Sequence, residues 1–155
     1  MHTSIDYAKH SPEALRHMRG LNVYLGNAEL GDTLNLVFIR VSQINGCNYC
    51  IDRHTREARA TGESDARLSA LSKWRSSTLF DAREKAALGW AELLTPVRDA
   101  QDIQAQLAAL KAYVNDKQIS DLTFAVATIN AWNIVGVSFV PTAAEKQQLE
   151  TSENH

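Results

Sequence analysis

A chain of 155 residues with 45% hydrophobic and 22% charged residues fits one globular domain, residues 1–155, able to bury its own core. Its net charge of −2, with no basic stripe, argues against a nucleic-acid surface. No run reaches the roughly 18 uninterrupted apolar residues that cross a bilayer, and MHTSIDYAKHSPEALRHMRG lacks the apolar centre of a signal peptide. No membrane association is expected, and the compartment read from the sequence is the cytoplasm. In that reducing setting a close cysteine pair points to redox chemistry or metal binding before a structural disulfide.

In chain order, SPEAL starts a helix with Ser11 as N-cap and Pro12 at the first helical position. Leu34, Val37, Phe38, Val41 and Ile44 recur at helical spacing and predict a buried helix ending at Asn45-Gly46. VFIRVSQI is rich in β-formers, but this helical stripe outweighs its composition. The next helix covers about Asn48 to Thr61, with Gly62 as its stop. Ser64 caps a short helix through Leu71. DAREKAALGWAELL opens with Asp81 and carries Glu84 at capping-box spacing, and it ends before Thr95-Pro96.

A further helix runs from roughly Ile103 to Val114. Ser120 then caps or interrupts the start of the last one, DLTFAVATINAWNIVGVSFV. That helix is apolar nearly all round, with Leu122, Val126 and Ile129 on one side and Phe124, Ala127, Ala131 and Ile134 on another. A helix with no polar face has to be covered from every direction, here in part by another subunit. Residues 142–155 form a polar tail expected to be flexible. No stretch reads as a convincing strand, so the fold class is all-α.

The only two cysteines lie in INGCNYCIDRHTREARATGES. On a helix, Cys47, Cys50 and His54 occupy positions i, i+3 and i+7, a single face that Ile51 and Ala58 extend. Both cysteines fall at a helix start, where unpaired N–H groups and the helix dipole favour thiolate over thiol. His54, one turn on, can take a proton from Cys50 or stabilise its anion. The i, i+3 spacing lets the pair close without large backbone movement, which suits attack on a peroxide or disulfide followed by internal resolution.

Two other readings of the pair stay open, zinc binding and inert core cysteines. A structural zinc site usually takes four ligands, and the chain has no second pair. His2, His10, His17 and His155 lie near the termini without ligand spacing. No metal is expected.

SQINGCNYCIDRHTREARATGES resembles the CxxCxxxH core of the AhpD-like proteins, within the carboxymuconolactone decarboxylase superfamily. The likeness extends to IDYAKHSPEALRHMRGLNVYL, REKAALGWAELLT and DLTFAVATINAWN, about Ile5 to Pro141. It implies helices packed around the CxxCxxxH helix in a subunit that assembles as a homo-oligomer, a trimer or hexamer. It also implies thiol-dependent peroxidase activity on a hydroperoxide, or dithiol electron transfer with a peroxiredoxin or other thiol donor. By this resemblance Cys50 is the attacking thiolate, Cys47 the resolving thiol and His54 part of the proton relay. The redox-active disulfide Cys47–Cys50 is then the only redox group, with no bound cofactor.

The AhpD pattern also carries a glutamate twelve residues before the first cysteine, where this chain has Asn35. An amide can orient a histidine but cannot take up a proton, and loss of a general base costs about 10²- to 10⁴-fold in rate. Glu84 and Glu92 are candidates to replace it, against their plainer reading as solvated charges. The lactone-decarboxylase chemistry of the superfamily does not depend on a CxxC pair, so the intact pair argues against it. An oligomeric binding or redox-sensing module is the alternative function.

Trp74, Trp90 and Trp132 read as packing residues. Asn130 and Asn133, in the apolar last helix, need hydrogen-bond partners, across an interface or lining a pocket. Tyr49 gates the pair or packs beside it, and Arg40 and Gln43 serve the site or a subunit contact.

Overall fold

The computed structural model describes residues 5–96 and 100–139. Within them the chain forms eight α-helices and one 3-10 turn, with no strand among the described residues. The helices are α1 (Tyr7–His10), α2 (Pro12–Gly26), α3 (Thr33–Asn45), α4 (Asn48–Ala60), α5 (Asp65–Ala70), α6 (Ala82–Leu93), α7 (Ala100–Leu110) and α8 (Asp116–Phe139), with the 3-10 turn at Leu71–Lys73. The tail at 142–155 lies outside the described residues.

Local chemistry accounts for the element ends. Pro12 opens α2 as expected, although the Ser11 side chain makes no capping bond. Gly46 ends α3 in the left-handed conformation, φ 69°, which glycine adopts without steric cost. Ser64 caps α5 by accepting the Arg67 N–H. Asp81 and Glu84 form a reciprocal capping box at α6.

The last two helices depart from expectation. α7 begins at Ala100 rather than near Ile103 and ends at Leu110 rather than Val114. α8 starts at Asp116, so Ser120 lies inside it and neither caps nor interrupts. The physical cause is a second capping box: the Asn115 side chain accepts the Gln118 N–H at 2.9 Å, and the Gln118 side chain accepts the Asn115 N–H at 3.1 Å.

α3 is the middle of the molecule and packs on α4, α6 and α8. Its Val37, Phe38 and Val41 join Leu25, Trp90, Leu122, Val126 and Ile129 in one apolar cluster. Its Leu36 and Ile39 face the other way, toward Ala58, Leu71, Trp74, Phe80 and Leu88. Burying each such aliphatic or aromatic side chain is worth about 1.5–3 kcal/mol, so α3 is held from both sides. Ile44, at the end of its stripe, is exposed.

By length and composition α8 could cross a membrane, but here one side of it faces the core through Ile119, Leu122, Val126 and Ile129. Other large apolar side chains of α8 are open in the single chain, with Phe124 54%, Ile134 68% and Val137 53% exposed.

Candidate functional site

The turn at Gly46 places the next residue, Cys47, as the N-cap of α4. Cys50 is the third helical residue, and its N–H donates to Cys47 Sγ at 3.4 Å. The two cysteines are joined by a disulfide, with Cα atoms 5.3 Å apart. The bond sits on the N-terminal end of α4, where the helix dipole favours negative charge on sulfur once the pair is reduced. Both cysteines are buried.

Above the sulfurs runs the C-terminal half of α8. A Cβ built on Gly136 would lie 2.8 Å from Cys47 Sγ and 3.3 Å from Cys50 Sγ. Only a glycine lets the two helices approach this closely. Cys50 Sγ also stands 3.9 Å from the Trp132 carbonyl oxygen, within reach of a thiol donor.

One turn beyond Cys50, the His54 side chain is only 6% exposed. The Phe38 ring packs against it at 4.8 Å between centroids. His54 Nδ1 is 2.6 Å from Glu57 Oε2, while Arg53 Nε donates to the other oxygen, Glu57 Oε1, at 3.0 Å. Burial raises the Glu57 pKa, but the hydrogen bond and charge of His54 and the charge of Arg53 outweigh it and bring it down to about 2. Glu57 is therefore a carboxylate at any neutral pH. The sequence reading had not singled it out, although its i, i+3 spacing from His54 on a helix is a readable signal.

His54, Glu57 and Arg53 line a cavity of about 420 Å³ whose other walls include Asn22, Leu25, Asp32, Leu34, Asn35 and Phe38. Asn35 thus shares a cavity with the imidazole. Neither cysteine borders this space, while His54, one turn from Cys50 on α4, does.

The other residues picked from sequence lie elsewhere. Glu84 caps α6 and pairs with Arg67. Glu92 accepts from Arg40 Nε at 2.6 Å and Trp74 Nε1 at 2.9 Å, and it also pairs with Arg75. Burial raises the Glu92 pKa and these donors more than reverse that, leaving it lowered. Neither carboxylate reaches His54, so the expectation that one of them replaces the relay is corrected: both are consumed in structural ion pairs. Gln43 accepts from Arg40 Nη1 at 3.1 Å and belongs to that same network.

Asn133 is buried, donating to Ser42 Oγ at 2.9 Å and accepting from Asn45 Nδ2 at 2.9 Å. Asn130 accepts from the same Asn45 amide at 2.8 Å and donates to Thr95 Oγ1 at 3.0 Å. These amides tie α3 to α8 within one chain. Tyr49 is half-buried and does not line the cavity. Trp90 Nε1 donates to Thr123 Oγ1 and Trp132 Nε1 to Asn22 Oδ1. Among the described residues no three His, Cys, Asp or Glu side chains are arranged to hold a metal ion.

A chain that is helical throughout its described residues, with a CxxC disulfide at a helix start and an imidazole one turn on, has the features of a helical dithiol protein. The profile of the carboxymuconolactone decarboxylase family matches residues 12–93. The uncharacterised protein YdfG of Bacillus subtilis is 31% identical over 147 residues, 94% of this chain and 100% of the relative. The crystal structure of an Agrobacterium tumefaciens protein of unknown function, proposed to be the antioxidant defence protein AhpD, superposes with a TM-score of 0.84 at 34% identity, covering 90% of this chain and 97% of that one. A peroxidase-related protein from Silicibacter sp. TM1040 shares the fold, with a TM-score of 0.75 at 24% identity over 88% of this chain and 74% of its own. The chain belongs to the carboxymuconolactone decarboxylase family, as an AhpD-like member.

Proposed function

We propose that this protein is a thiol-dependent peroxidase that reduces hydroperoxides through Cys50 and Cys47. The observation that supports it best is the disulfide closed across the first turn of α4, on the face that also carries buried His54.

In the reduced protein His54 takes the Cys50 proton. The thiolate sulfur forms a bond to the distal peroxide oxygen while the O–O bond breaks. The alkoxide leaves as the alcohol, taking the proton held by His54, and Cys50 is oxidised to a sulfenic acid. Cys47 sulfur then attacks Cys50; the S–S bond forms, the S–O bond breaks, and hydroxide leaves as water with the Cys47 proton. A thiol or dithiol donor, such as a peroxiredoxin partner, returns two electrons and two protons and reopens the pair. The disulfide is the only redox group the reaction needs. A homo-oligomeric state, trimer or hexamer, and a cytoplasmic setting belong to the same reading.

Peroxide added to the reduced protein should lower its mass by two hydrogens, and Cys50→Ser should abolish that change. A wild-type protein that keeps its mass under excess peroxide would sink the assignment. A second reading, a redox-sensing module without turnover, is favoured by the burial of both sulfurs. It predicts that the disulfide forms once and that added dithiol sustains no continuing peroxide consumption.

A further inference from the structure

The peroxidase reading leaves one part without a holder. Asn35 cannot take up a proton, and Glu84 and Glu92 are committed elsewhere. We infer that Glu57 is the positioning carboxylate of this site, fixing the tautomer of His54 and stabilising its imidazolium, so that the relay lies along α4 itself. The inference rests on the peroxidase reading for its chemistry, while the geometry stands without it.

Each oxygen of Glu57 has its own donor. Arg53 Nε holds Oε1 at 3.0 Å, which turns Oε2 toward His54 Nδ1 at 2.6 Å. A carboxylate at that distance keeps the proton on Nδ1 and leaves Nε2 as the basic nitrogen. The imidazole lines the cavity. When Nε2 takes the Cys50 proton, the imidazolium faces a carboxylate already charged. Thiolate and imidazolium are then formed together, and Glu57 lowers the cost of the second.

Among the described residues, the carboxylate bonded to His54 is Glu57, and the other charged group of α4 on the cavity is Arg53. Asp32, at the start of α3, also lines the cavity, but it is exposed and bonds to neither His54 nor Arg53. The remaining groups from α2 and α3, Asn22, Asn35 and Phe38, do not titrate, and α8 presents Trp132 and Gly136 beside the sulfurs.

The test reads Cys50 acidity directly, in full-length reduced protein with Cys47→Ser so that one thiol reports. The rate of alkylation by iodoacetamide is followed against pH. Glu57→Gln should move the midpoint upward by about one unit, which cuts the thiolate present at neutral pH ~10-fold. Glu57→Asp should recover part of the shift. In the chain with both cysteines intact, Glu57→Gln should slow peroxide-driven disulfide formation by a similar factor. A Glu57→Gln midpoint equal to that of the parent would overturn the inference, since a purely structural salt bridge would lower the melting temperature and leave the thiol where it was. Should Glu57→Gln not fold, Arg53→Gln decides: it frees the carboxylate to turn, and an unmoved midpoint there also overturns the role. If the wild type ignored peroxide while the midpoint still moved, the peroxidase reading would fail and the positioning role would stand.

Discussion

Gly136 is the residue on which the closed form of the pair depends. Any side chain there begins with a Cβ 2.8 Å from Cys47 Sγ, closer than packed atoms tolerate. Gly136→Ala should therefore destabilise the oxidised protein by about 1–3 kcal/mol. The reduced protein should lose less, because two free thiols can rotate away. Melting curves of both redox forms check this, and equal losses in the two would contradict it. At this scale the shared helical face of Cys47, Cys50 and His54 was legible from their spacing. It carried Gly136 not at all, because a close approach between distant helices has no local signature. Glu57 was legible but overlooked, since attention went to the position twelve residues upstream of the cysteines and to a distant helix, rather than to the next turn of the same one.

Helix ends were legible wherever a cap or a left-handed glycine marked them. Gly46, Gly62, Ser64 and the Asp81–Glu84 box all fall where the sequence placed them. The start of α8 was misplaced because the polar run Asp116-Lys117-Gln118 hides its first turn, although Asn115 and Gln118 stand at capping-box spacing. That misplacement hid a buried carboxylate. Asp121 lies inside α8, accepting from Lys117 Nζ at 2.6 Å and from the Tyr24 hydroxyl at 2.7 Å. These donors hold its pKa below the ordinary 3.8 against the opposing effect of burial. A depressed carboxyl pKa contributes stability that is complete above the unfolded value and fades as pH falls through the folded one. Acid titration of stability should therefore show Asp121→Asn losing less than wild type below about pH 4. A parallel loss in both proteins would show that the Tyr24 and Lys117 contacts do not stabilise the charged form.

For the whole molecule, the all-α class and the single apolar last helix were legible from periodicity. How that helix is covered was not. Leu122, Val126 and Ile129 are buried against the core, while Phe124, Ile134 and Val137 remain exposed. Large apolar side chains are costly to leave in water, and the proposed homo-oligomer would cover them. Sedimentation should give a trimer or hexamer for the wild type and a smaller species for Ile134→Glu. A monomeric wild type would remove the assembly from the proposal.

The turn of α8 that leaves Ile134 and Val137 exposed also sets Gly136 against the sulfurs, and the pair beneath it is 2% and 4% exposed. Thiol–disulfide exchange is a contact reaction in which the incoming sulfur has to touch the one it attacks. A donor protein would therefore have to bring its own sulfur to the small exposed edge of the pair, so the shape of the surface beside this turn bears on which donors can deliver electrons.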